Sequence, residues 1–571
     1  MKIGSDNKDD KGDKRSPLSS LTGDDVSVGT DRIFFAKTLP HLNASVAGFC
    51  AVEAALELGN FVDEDDRLKK ANSGSKTVSG ALAGSRFRES SERYERALIS
   101  ELGSLLRSRA IRATLAELVR SSAMMAAFRA SLKIVHPSST NRRHDKDLMA
   151  LDVDILMTAV KIAQDEQLRA TGAIVADDPK VPMLVSDVPS LSRGDNAKGI
   201  SGVPDPEENG LPFGLSQMKQ SPQKSDLDFQ EQSRTSFNRA AADEAFNFSQ
   251  SVPVVLRTLH ARAIATAAFA LTQEELGQKF PDKKGSASAG FVLDCVEECV
   301  SVSAVGMKDS DNVVEEGSVE KAVQVMANIA SFQHCLPRFF GTVMRGMCHI
   351  GMIRADELEE TFAYAEKALK AAEKACDSQV GSTYSLVYEI CRNKIDSHIN
   401  YALENFNWVA KSARDVPNAY CEGLIGYLRS VFASLGPMDE GSRAGLHFSC
   451  CGHVAERLVK VLAGKPGDTT SYDDSGLPPI TRIDAFGIKN LALDCEEFEK
   501  FADGLGIPQL RDCFNELNVL TTVMLDRELP MLLLPENEGA RRRKYPILSM
   551  EKVLNILEKY VGTGLVRFSA A

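Results

Sequence analysis

The chain is expected to be all-α, an elongated rod of consecutive antiparallel helical bundles with a disordered tail and insertions. Three observations predict this. Apolar residues recur at spacings of three and four along most of the 571 residues, which places them on one face of a helix. Strand-like alternation is almost absent, and no sequence period of about 30–45 residues recurs, which argues against a regular solenoid. Consecutive helices joined by short loops then pack most simply as bundles.

Taken in order, residues 1–30 are charged and rich in Gly and Ser, so they bury too little apolar surface to offset ordering entropy and are expected to be a disordered tail. An Ala-rich apolar stretch from Phe34 to Leu58 predicts a helix, and the Asp/Glu and Gly/Ser runs over 62–91 predict an inserted loop. Tyr94, Leu98, Leu102, Leu105 and Leu106, then Ile111, Leu115, Leu118 and Val119, share one helical face. A further helix is expected over 148–168. From 176 to 245 seven prolines, Pro179 to Pro222, lie amid Gly, Ser and Asp, which predicts a disordered linker. Val252, Val255, Leu259 and Ala263 open the next helix, with Pro253 in its first turn, where a missing N–H costs nothing. Helices are expected at 290–304, 318–352, 355–376 and 383–412. The stripe Tyr420, Leu424, Tyr427, Leu428, Val431, Phe432 ends at Gly436-Pro437. Further helices follow over 446–462, 488–502, 510–525 and 550–557. The domains expected are 31–175, 246–412 and 413–571, with the tail and linker between and before them.

Composition narrows the function classes. With 43% hydrophobic and 26% charged residues the chain is ordinary for a globular protein, and at roughly 100–200 residues per domain it holds about three or four packing units. No run approaches the ~18 consecutive apolar residues of a membrane span, so a cytoplasmic or nuclear protein is expected. Its twelve cysteines are scattered along the chain, as reduced thiols packed like small hydrophobes would be. A net charge of −12 and a single Trp argue against a nucleic-acid partner, whose footprint would be basic.

Catalytic motifs fail on the residues they require. Gly74-Ser75-Lys76-Thr77 ends like a phosphate loop but lacks the glycines that let backbone curl around phosphate. Cys295, Cys299, His334-Cys335 and Cys348-His349 contain zinc-ligand residue types, yet their spacings match no closed zinc unit, and core packing is the simpler reading. No catalytic residue, cofactor or metal is expected. One dense basic run, Arg541-Arg542-Arg543-Lys544, lies in a segment expected to be irregular. It is either an anionic contact for lipid headgroups or an acidic protein face, or a solvated loop.

Several stretches resemble the Sec-fifteen-type (component six) subunit of the exocyst vesicle-tethering complex. Phe246-Asn247-Phe248-Ser249-Gln250-Ser251-Val252-Pro253 is similar to the family's F-x-F-S-Q-x-V-P. Ile390 to Trp408 resembles a helix that closes on an aspartate–tryptophan pair, here Asn407-Trp408. Leu424-Ile425-Gly426-Tyr427-Leu428-Arg429-Ser430-Val431-Phe432 is similar to L-I-N-F-L-R-S-x-F, and Val46 to Glu53 weakly resembles V-G-F-F-I-V-E. The family's N-terminal coiled coil has no counterpart here.

The resemblance implies a non-catalytic subunit that assembles with the other exocyst subunits and is recruited by a GTP-loaded Rab GTPase docking on the C-terminal helical domain. It implies a cytoplasmic protein, peripheral at secretory vesicles and the plasma membrane. The family's Phe-Asn-Leu-Asp helix start, near the GTPase surface, corresponds to Phe486-Gly487-Ile488-Lys489. The partner surface expected is therefore Phe486, Ile488, Lys489 and Asn490, against the alternative that Phe486 and Ile488 pack inward. Two other classes stay open: an enzyme hidden in a helical fold, and a scaffold of another tethering complex without Rab binding.

Overall fold

The computed structural model describes residues 141–184, 211–218, 245–277, 286–308, 318–465 and 480–561, with Phe280 and scattered positions between 44 and 126. The expected tail over 1–30, the helix over 34–58, the loop over 62–91 and the resemblance at 46–53 lie outside the described residues.

The fold is all-α. Twelve helices are described: α1 Asn141–Ala176, α2 Ser251–Glu275, α3 Ala287–Met307, α4 Val319–His349, α5 Leu358–Asn405, α6 Ala419–Ser434, α7 Glu440–Ala463, α8 Ala485–Gly504, α9 Asn515–Leu525, α10 Leu529–Leu532, α11 Glu538–Lys544 and α12 Met550–Lys559. Extended pairing among the described residues is confined to two isolated bridges, Leu184 with Ala245 and Ile483 with Tyr560.

The chain divides into two compact units. The first comprises Met1–Glu166, Arg262–Glu298 and Gly346–Glu366. Its interior holds Ile155, Leu156, Ala159 and Ala163 of α1, Ala267 and Phe269 of α2, and Phe291, Val292 and Val296 of α3. Burying each large side chain contributes about 1.5–3 kcal/mol. Ser286 precedes α3 and ties its start to the turn before α5: its hydroxyl donates to the Met352 carbonyl (3.0 Å), and its N–H donates to Thr361 Oγ1 (3.2 Å). Arg262 pairs with Glu166, and the Tyr364 hydroxyl donates to Asp294.

The second unit comprises Gln167–Ala261, Cys299–Arg345 and Lys367–Ala571. Here the expectation of a disordered linker over 176–245 is corrected at both described segments. Met183 exchanges two backbone bonds with the Phe246–Phe248 stretch, donating to the Phe248 carbonyl and accepting from the Phe246 N–H, both 2.8 Å. Leu211, Phe213 and Leu215 are almost wholly buried. Phe213 sits edge-on to His260 and Phe339, with ring centroids 5.5 and 5.3 Å apart. Gly214 has φ +86°, and a Cβ there would come 2.1 Å from Nη1 of Arg338, so only glycine lets that guanidinium lie across the turn. These few apolar residues bury enough surface to order segments whose composition alone predicts disorder.

Two helix boundaries also differ from expectation. No break falls at 377–382: α5 is continuous for 48 residues, because an internal glycine costs only about 1 kcal/mol, less than the burial of Ala372, Cys376, Val387 and Cys391 on one face. The helix stops at Asn405, and residues 406–418 form a connector in which the rings of Phe406 and Trp408 lie 4.1 Å apart.

Helix α2 is long and apolar enough to cross a membrane by length and composition. Its Val252, Val255, Leu256, Leu259, Phe269 and Ala270 are buried against the protein, as the core helix of a bundle requires.

Candidate partner-binding surface

The start of α8 is built by a clamp. Asp484 caps the helix, its carboxylate accepting the Gly487 N–H at 2.7 Å. The Asp484 N–H in turn donates to the Trp408 carbonyl at 3.1 Å. That carbonyl lies so close to α8 that a Cβ on Gly487 would stand 2.2 Å from its oxygen. Gly487, where the resembled family has Asn, is thus required by the approach of the connector.

One turn on, the connector is held by two side chains of α8 at i and i+4. Asn490 Oδ1 accepts the Arg414 N–H at 2.8 Å. Asp494, fully buried, accepts both the backbone N–H and the side-chain amide of Asn418 at 2.7 Å. Burial pushes the Asp494 carboxyl above its ordinary value, and the two Asn418 bonds, with the Tyr420 hydroxyl, oppose that rise. The apolar side of α8, with Ile488, Leu491, Cys495 and Phe498, is wholly or almost wholly buried.

This geometry corrects half of the expected partner surface. Ile488 is 0% exposed and Asn490 only 4%; the first packs in the core and the second is consumed by the connector. Phe486, at 44% exposure, and the exposed Lys489 remain on the outside, so the packing alternative holds for Ile488 and not for Phe486. Sequence reasoning missed Val409 and Val416, which the connector carries at 40% and 65% exposure. No periodicity marks such residues in an irregular segment. The result is an outward surface with apolar groups and a cation at the start of a rigidly held helix, suited to protein contact and carrying no nucleophile.

The basic run is helical, not irregular: Arg541–Lys544 form the last turn of α11. Arg541 donates to the Leu532 carbonyl at 2.8 Å, Arg542 pairs with Glu538 at 2.6 Å, and Lys544 pairs with Asp526 and Glu528 at 2.7 and 2.9 Å. Those carboxylates hold the Lys544 ammonium well above its ordinary value. Arg543 is exposed.

The thiols of the Cys/His cluster are mostly interior. Cys295, Cys299 and Cys335 are buried and Cys348 is exposed; burial pushes the Cys335 thiol up to about 12, far from a thiolate nucleophile. Among the described residues no group of three His, Cys, Asp or Glu side chains is placed to hold a metal ion. Asp396 of α5 is met from α7 by His453 at 2.9 Å and Arg457 at 3.1 Å, a buried charge with its partners that ties two helices together.

Residues 307–559, from the end of α3 to the end of α12, match the family model described as exocyst complex subunit Sec15 C-terminal. Over this stretch the chain is similar to the Sec15-type exocyst subunits. The matched stretch holds both the α8 surface and the basic run. A crystal structure of a Sec15 C-terminal domain is similar at 16% identity with a TM-score of 0.32, covering 49% of this chain and 78% of that one. No curated protein matches the chain.

Proposed function

We propose that the chain is a non-catalytic subunit of the exocyst, which links secretory vesicles to the plasma membrane before fusion by binding a GTP-loaded Rab GTPase through its C-terminal helical domain, residues 413–571. In this reading it assembles with the other exocyst subunits and works in the cytoplasm, peripheral at vesicles and plasma membrane through its partners. It uses no cofactor and no nucleic acid. The observation that carries the reading is the Sec15 C-terminal match over 307–559. The exposed Phe486 and Lys489 at the clamped start of α8 supply its docking surface. An exposed large aromatic residue is the kind of side chain that anchors a protein contact.

The decisive experiment is affinity purification of the tagged protein from its own cells, with mass spectrometry of what accompanies it. Recovery of the other exocyst subunits supports the reading; their absence, when another subunit recovers its partners, sinks it. Binding of Rab GTPases loaded with a non-hydrolysable GTP analogue or with GDP then tests the switch. One observation favours a scaffold without Rab binding: at the helix start Gly487 and Lys489 stand where the resembled family has Asn and Asp. That scaffold, of another tethering complex, would recover no exocyst subunits and bind no GTPase in either state.

A further inference from the structure

The second unit has a tip that combines an open apolar turn with a run of cations. Pro530-Met531-Leu532-Leu533-Leu534-Pro535 is an apolar segment bounded by prolines, and while Leu529 and Leu532 anchor it in the core, Met531 is 63% and Leu534 38% exposed. The turn is folded back onto α11. The Asn537 amide donates to the Met531 carbonyl (2.8 Å), its backbone N–H to the Leu534 carbonyl (3.0 Å), and Arg541 to the Leu532 carbonyl (2.8 Å). These bonds place Arg541 beside the apolar turn, and Arg542, Arg543 and Lys544 follow it on α11. Just beyond them Ile547 is 53% exposed.

The charges at this tip are partly engaged: Arg541 holds the Leu532 carbonyl and Lys544 pairs with the mostly buried Asp526, while the other pairs are exposed. Arg542–Glu538 and Lys544–Glu528 join exposed side chains, and such pairs contribute little in water and exchange readily for another anion. Arg527 and Arg543 have no ion pair among the described residues. In a chain of net charge −12, four consecutive cations gather at one turn, with Asp526, Glu528 and Glu538 as the carboxylates paired to them.

We propose that this tip is a membrane-contact site, in which Met531, Leu534 and Ile547 enter the headgroup region of an anionic bilayer while Arg541, Arg542, Arg543 and Lys544 meet its lipid phosphates and carboxylates. A bilayer satisfies both halves at once. Fluid headgroups neutralise cations in any rotamer, and the acyl boundary receives an apolar turn without a shaped pocket. The site uses residues other than those of the α8 surface.

The test is co-sedimentation of the purified full chain with phosphatidylcholine vesicles prepared with and without phosphatidylserine. Binding only to the phosphatidylserine vesicles is expected. Arg542→Gln with Arg543→Gln should weaken it roughly fivefold per cation removed, and Met531→Ser with Leu534→Ser should weaken it without altering its salt dependence. All four substitutions are at exposed positions, and an unchanged helical circular dichroism signal verifies folding. Failure to sediment with the anionic vesicles, or binding that survives either pair of substitutions, overturns the proposal. So does competition by polyglutamate as strong as that by vesicles, which would identify an acidic protein as the ligand.

Discussion

The start of α8 and the tip around α10 and α11 are both exposed surfaces of the same unit, held in opposite ways. At α8 the surface residues stand on a clamp of buried groups: Gly487 under the Trp408 carbonyl, Asn490 on Arg414, and Asp494 on Asn418. At the tip short helices are joined by side chains that remain in water, such as Lys544 with Glu528 and Arg542 with Glu538. Buried hydrogen bonds are expensive to break because the orphaned partner cannot return to water; exposed pairs lose almost nothing. The first surface is therefore preorganised, as recognition of one folded partner requires, and the second is adaptable, as contact with a fluid surface allows.

Substitutions rank that difference. The largest effect is expected from Gly487→Val: its Cβ alone would stand 2.2 Å from the Trp408 oxygen, so the connector must move, at a cost of about 3 kcal/mol or more in thermal or denaturant unfolding. Asp494→Ala should come next, at about 1–3 kcal/mol, since it strands the Asn418 N–H and amide in the interior. A melting curve unchanged by either would break the comparison.

Acid sharpens it further. Burial, with the nearby Arg443 cation, pushes the His447 imidazole down to about 4 from the ordinary 6.5, and its ring lies edge-on against Phe432 at 4.1 Å between centroids. The folded state binds fewer protons than the unfolded between these values. Stability should therefore fall as pH drops from 6.5 toward 4, by on the order of 3 kcal/mol, and His447→Leu should flatten that slope in unfolding measured across the window. A slope identical in the variant would place the acid sensitivity elsewhere.

Smaller effects belong to the outward groups. Phe486→Ala should change stability by no more than about 0.5 kcal/mol while weakening a partner bound there tenfold or more, readable by calorimetry alongside a binding titration. Lys544→Gln should cost less than Asp494→Ala, although it also loses the pair with Asp526. A loss of stability from Lys544→Gln as large as that from Asp494→Ala would erase the distinction between the two regions.

Much of the helical fold was legible because it depends on local periodicity. The stripe from Tyr420 to Phe432 predicts α6, the helix that buries Leu424, Ile425, Leu428, Val431 and Phe432. The apolar spacing from Met550 to Leu557 predicts α12, Met550–Lys559. The α8 site was half legible: motif resemblance led to Phe486 and Lys489, but not to the helix phase that turns Ile488 and Asn490 inward. Val409 and Val416 carried no sequence signal, being irregular residues placed by bonds to a helix about 80 positions away.

By itself the sequence determined that this is a helical protein, where most helices run, and which family its C-terminal half resembles, since 3.6-residue spacing and motif order are properties of neighbouring residues. The tertiary structure decided the rest. It drew Phe213 into the core from a segment whose composition predicts disorder, kept α5 whole through Gly381-Ser382, wound the basic run into a helix, and sorted the start of α8 into inner and outer faces. Each of those outcomes depends on what a residue meets from far along the chain, and burial against a distant partner outweighs the fraction of a kcal/mol to about 1 kcal/mol that local propensity contributes.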